Sequence, residues 1–134
     1  MAKLTTIEGI GEKYAAQLKD AGVRSVESLL KAGATPKGRK EIAEKSGLDD
    51  ARVLKFVNHA DLMRIKGIGG EYSELLESAG VDTVIELRNR NAANLHAKMV
   101  EVNNAKKLVR QVASLSQVTD WVAQAKKLDR AVHY

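Results

Sequence analysis

Gly9-Ile10-Gly11 and Gly67-Ile68-Gly69 each stand directly before a stretch whose pattern predicts a helix, and the chemistry such a triplet offers is anion binding by the backbone. The first N–H groups of a helix lack intrahelical acceptors and lie at the positive end of its dipole, so a phosphate can be held there without any side chain. Glycine permits positive φ and close approach of a ligand, while the isoleucine between anchors the turn in the core. Catalytic chemistry finds less to work with. His59, His96 and His133 are widely spaced, lack the spacing of a metal site, and read as surface or boundary residues. Glu41 with Glu44, and Glu74 with Glu77, lie one helical turn apart, an ordinary arrangement on an exposed helix that needs a cleft to become general acid or base. The expectation is a protein that is not an enzyme, with no metal and no cofactor.

The elements that must position the two triplets come from an internal duplication. Residues 62–87 repeat residues 4–29 without a gap, pairing Tyr14, Leu18, Ala21-Gly22-Val23, Val26 and Leu29 with Tyr72, Leu76, Ala79-Gly80-Val81, Val84 and Leu87. Helix signals recur and strand signals do not, which predicts an all-α fold. The first half reads as helices over 12–21, from Ser25 to Leu30, from Thr35-Pro36 to Gly47, and from Asp49 to about Ala60. The second half reads as helices over 71–79, 83–90, 92–100 and 104–115, with Asp82, Asn91 and Asn103 as candidate caps. A last helix over 117–131 carries Val118, Trp121, Val122, Ala125 and Leu128 at helical spacing. Aligning Leu115-x-x-Val118 with Leu62-x-x-Ile65 makes it the beginning of a third copy, and its apolar face predicts that Trp121 packs under the second half. The division expected is 1–61 for the first repeat and 62–134 for the second with the C-terminal helix. No Pro/Ser-rich linker separates them, so one compact helical unit is expected.

Composition narrows the setting. The 134 residues include no cysteine, which removes disulfides, thiolate catalysis and Cys-based metal sites together. No stretch is long and apolar enough for a signal peptide or a membrane span, and the expected location is the cytoplasm. A formal charge of +5 is compatible with nucleic acid but does not specify it.

Ile-x-Gly-Ile-Gly-x-x-Tyr, followed by Leu-x-x-Ala-Gly-Val and Val-x-x-Leu, resembles the helix-hairpin-helix motif, in which two short helices flank a turn that grips a nucleic acid backbone. More narrowly, the stretch from Ala60-Asp61-Leu62 to Gly69, with Trp121-Val122-x-x-Ala125-Lys126-Lys127-Leu128, resembles a bacterial family of tandem helix-hairpin-helix proteins bearing a domain-of-unknown-function label. That resemblance implies two tandem helix-hairpin-helix (SAM-like) repeats. It also implies a phosphate site at Gly9, Ile10 and Gly11 with Lys13 as the accompanying cation. In the second copy Gly67, Ile68 and Gly69 are intact but Gly70-Glu71 stand where the first has Glu12-Lys13, so only Arg64 and Lys66 on the approach are basic.

Charge divides the two hairpins further. Glu8 and Glu12 flank the first, and Glu71, Glu74, Glu77, Asp82 and Glu86 follow the second with no basic residue among them. Basic clusters lie at Lys37, Arg39 and Lys40, at Lys106, Lys107 and Arg110 on one expected helix, and at Lys126, Lys127 and Arg130 on the last, where they could track phosphates beside the hairpins. Tyr14 and Tyr72 fall at core-facing positions, which leaves no base-stacking platform and favours duplex over single strands. Two functional readings follow. One is a small module that grips duplex DNA through its backbone phosphates, mainly without regard to sequence, using Gly9, Ile10, Gly11, Lys13, Lys66, Gly67, Ile68, Gly69, Lys106, Lys107 and Arg110. The other is a protein-interaction or self-assembly module that presents its acidic or basic face to another chain. Neither reading involves a membrane or a small-molecule substrate.

Overall fold

A computed structural model describes residues 2–134, and among them every regular element is helical. The chain forms two compact units, Met1–Asp61 with Ala131–Tyr134, and Leu62–Arg130. The last four residues, grouped by sequence with the second half, therefore belong to the first unit.

Unit 1 begins with a 3-10 turn at Leu4–Thr6 and continues through α1 (Glu12–Asp20), α2 (Val26–Ala32), α3 (Pro36–Ser46) and α4 (Asp50–Leu62). The boundaries follow from local chemistry. Ser25 and Ser28 cap α2 reciprocally, Thr35 accepts from the Gly38 N–H with Pro36 at the first helical position, and Gly47 ends α3 in the left-handed conformation at φ 79°. Helices α1 and α2 both pack on α3. Leu18, Leu29, Val53 and Val57 are fully buried in the core.

Unit 2 repeats the order with α5 (Gly70–Ser78), α6 (Val84–Arg88), α7 (Ala92–Lys106) and α8 (Leu115–Ala125). The turns match bond for bond. Ile10 N–H donates to Ile7 C=O and Ile68 N–H to Ile65 C=O, both at 3.1 Å; Val23 donates to Leu18 and Val81 to Leu76, both at 2.9 Å. Helices α6 and α7 pack on α8, and α5 packs on α7.

Helix α8 closes the second copy and does not begin a third. Its buried residues Val118, Trp121, Val122 and Ala125 match the buried Val53, Phe56, Val57 and Ala60 of α4 in order and spacing. Tyr14 packs against Phe56 at a ring separation of 6.0 Å, and Tyr72 against Trp121 at 5.3 Å. Leu115, the residue a third copy would need in the core, is 45% exposed. Trp121 itself is buried in the core of unit 2, as its helical face predicts.

Five local expectations are corrected. Residues 92–106 form one helix, and residues 107–113 are not helical. Asn103 is no helix cap: its amide accepts from Val109 N–H at 2.9 Å and donates to Val109 C=O at 3.0 Å, satisfying the loop that follows α7. Thr83, not Asp82, caps α6, its hydroxyl accepting from Glu86 N–H. Helix α8 starts earlier than its apolar pattern suggests because Ser114 and Gln117 cap it reciprocally. His59, expected near the surface, is fully buried on α4.

Candidate nucleic-acid interface

Two glycines in each hairpin do different work. Gly9 and Gly67 hold φ at 92° and 100°, where a side chain is strained, and they shape the turn. Gly11 and Gly69 are the N-caps of α1 and α5, in extended conformations (φ −89° and −103°) that any residue adopts. A Cβ at either would meet nothing within 4 Å. The fold thus has no steric or conformational need for glycine at these two positions. Ile10 and Ile68 between them are buried and anchor the turns, as their types predict.

The caps set these two helices apart. Of the seven α-helices whose N-caps are described, α2, α3, α6, α7 and α8 each donate a first-turn N–H to the side chain of a Ser, Thr or Asn cap. Helices α1 and α5 have no such side-chain acceptor. Their first backbone bonds are Ala15 N–H to Gly11 C=O at 3.0 Å and Ser73 N–H to Gly69 C=O at 2.9 Å, which leaves three N–H groups ahead of each without an acceptor among the described residues. These groups carry the positive end of the helix dipole to an open surface.

The fold adds cations that sequence reasoning missed. A cleft of about 420 Å³ beside the first hairpin is lined by Gly9, Tyr14, Asp49, Arg52, Lys55 and Phe56 among others. The Arg52 guanidinium lies 5.0 Å from the centre of the Tyr14 ring and 3.3 Å from Asp49 Oδ1. Arg52, Lys55 and Phe56 share one face of α4 by their i, i+3, i+4 spacing, and that spacing is the signal that could have placed them with Tyr14. Lys13, Glu8 and Glu12 are exposed at the same hairpin, their charges facing water.

The second hairpin has its own cleft, about 460 Å³, lined by Glu71, Asn103, Asn104, Lys107 and Arg110 among others. Two cations therefore line one cleft with Glu71, although none follows the turn in sequence. Lys106, Lys107 and Arg110 do not share one helix: Lys106 ends α7, Lys107 is its left-handed cap, and Arg110 lies in the loop beyond. Lys66 is exposed, and its backbone N–H and C=O are both bound by the Gln124 amide, at 2.9 and 3.1 Å, which pins the approach to the turn against α8. Lys126, Lys127 and Arg130 follow α8 instead of lying on it.

Two expected charge features change character in the fold. Arg39 does not join Lys37 and Lys40 at the surface; it is buried, donating to Gly33 C=O at 2.9 Å and to His133 C=O at 2.7 Å, with Tyr134 stacked at 5.8 Å. Of the acidic run, only Glu71 is exposed, and Glu74, Glu77, Asp82 and Glu86 are half-buried.

The sequence model of the family described as "Domain of unknown function (DUF4332)" matches residues 8–128, and the chain belongs to that family. No curated protein and no solved structure matches it. No helix among the described residues is long and apolar enough to cross a membrane.

Proposed function

We propose that the protein is a non-enzymatic, tandem helix-hairpin-helix module that grips duplex DNA by its backbone phosphates, without reading base sequence. The first hairpin, Gly9-Ile10-Gly11 with Lys13, is the principal clamp, and Arg52 and Lys55 flank the path of the strand. The second, Lys66-Gly67-Ile68-Gly69, acts with the cations that follow α7. The observation that carries this reading is the missing caps: five α-helices pair one first-turn N–H with a side chain, and α1 and α5 leave all of theirs open behind glycines that the fold does not require. Phosphate oxygens are acceptors of the right charge for such a group of donors. A protein-interaction role through the acidic helices draws less support, because most of those carboxylates are half-buried and Glu86 already accepts from Asp82 N–H.

Fluorescence anisotropy of a labelled random-sequence duplex tests the proposal, with wild type, Lys13→Glu and Arg52→Glu titrated at low and near-physiological salt. Wild type should bind with a steep salt slope, and each reversal should lose roughly one unit of that slope, as expected for one phosphate contact. Absence of binding by wild type at low salt overturns the reading.

A further inference from the structure

Lys107 is the one residue other than glycine with positive φ among the described residues, at φ 52° and ψ 48°. Gly47 holds the matching place in unit 1, closing α3 at φ 79°, and the cap bond is the same: Gly47 N–H to Ala43 C=O, Lys107 N–H to Asn103 C=O. Glycine is the residue this position favours, because a Cβ in the left-handed region crowds the backbone. The lysine side chain returns nothing to the fold that would offset that cost. It is exposed and makes no hydrogen bond or ion pair in the described structure.

What surrounds it gives the side chain another use. The loop from Lys107 to Arg110 is held from both sides, by the Asn103 amide on the Val109 backbone and by the Tyr72 hydroxyl donating to Gln111 C=O at 2.9 Å. Lys107 and Arg110 are thereby carried to one cleft, and its only acid is Glu71. Two cations on a fixed loop, against a single carboxylate, leave a net positive cleft with room for a tetrahedral anion and its sugar neighbours.

We infer that this cleft of unit 2 is a phosphodiester-binding site in its own right, and that Lys107 is its anchoring cation, kept at a position where glycine would be more stable. The inference rests on the duplex-binding reading above and deepens it. It gives the second unit two cations that offset the carboxylate of Glu71 beside its turn.

The same anisotropy titration is made with wild type, Lys107→Gly, Lys107→Arg and Lys13→Glu, alongside thermal melting of each. Lys107→Gly should melt higher by about 3 °C. It should also bind the duplex about three- to tenfold more weakly at low salt, with a slope shallower by roughly one unit. Lys107→Arg should keep wild-type affinity, because the charge stays. A purely structural lysine would move the melting temperature and leave the salt slope untouched. If Lys107→Gly binds like wild type while Lys13→Glu binds weakly, the duplex reading stands and this inference falls. If Lys107→Gly melts below wild type, left-handed backbone carries no cost at this position and the inference likewise falls. If wild type does not bind duplex at low salt, both are overturned.

Discussion

Replacing Gly67 by alanine should damage the protein more than replacing Gly9, although the two residues match in the duplication and in backbone conformation. Both substitutions force a side chain to positive φ, at 92° and 100°, which costs about 1–2 kcal/mol. Their surroundings differ. A Cβ at Gly9 would lie 3.6 Å from Phe56 Cε1, an ordinary contact, whereas one at Gly67 would lie 2.8 Å from Trp121 Nε1. Trp121 is almost fully buried in the unit 2 core, so the indole has little room to retreat, and overpacking of this kind adds about 1–3 kcal/mol. Gly9→Ala should therefore cost about 1–2 kcal/mol and Gly67→Ala about 2–5 kcal/mol. Urea unfolding followed by far-UV circular dichroism measures both, and near-UV dichroism reports whether the tryptophan environment is disturbed in Gly67→Ala alone. Equal losses, or a tolerated Gly67→Ala with an unchanged tryptophan signal, would refute the assignment of the second hairpin's tightness to Trp121.

Trp121, at 1% exposure, should emit at short wavelength and resist quenching by iodide in the native protein; ready quenching would contradict its place in the core. Arg39→Ala should lower stability by about 2–3 kcal/mol, since two carbonyls lose a charged donor, yet leave duplex affinity unchanged; equilibrium unfolding and anisotropy together check this, and a drop in affinity at unchanged stability would place Arg39 at the surface after all. Thr83→Ala should cost about 1 kcal/mol in thermal melts and Asp82→Ala much less, because the threonine hydroxyl caps α6; the reverse order would return the cap to Asp82.

The parts of the fold that sequence made legible are those fixed within a few residues along the chain. Ser25, Thr35-Pro36 and Gly47 mark helix ends by their own chemistry, and the repeat carried the same turns to Gly67, Gly69 and Gly80. Asn103 misled because an asparagine looks like a cap, and its actual bonds to Val109 reach across a loop that no local pattern shows. Arg39 read as a surface cation because its acceptors, Gly33 and His133, lie 6 and 94 residues away. Within the candidate site, the Gly-Ile-Gly turns and Lys13 were visible, whereas Arg52 and Lys55 were not, since α4 lies beside the hairpin through tertiary packing such as Phe56 and Arg52 on Tyr14. The alignment of α8 with a third copy failed for a related reason: Leu115-x-x-Val118 looked like the start of a repeat, whereas the match of Val118, Trp121, Val122 and Ala125 to Val53, Phe56, Val57 and Ala60 shows its meaning only once Trp121 is seen to pack on Tyr72 as Phe56 does on Tyr14.

The central claim is that the open N-termini of α1 and α5 receive phosphates, and the double variant Gly11→Asp, Gly69→Asp tests it most directly. Aspartate fits both positions, where φ is extended and space is free, and its carboxylate would take the helix N–H groups for itself. Stability should hold or rise by a few tenths of a kcal/mol, while affinity for a random-sequence duplex at low salt should collapse. A variant that is as stable as wild type and still binds the duplex with the wild-type salt slope would contradict the account.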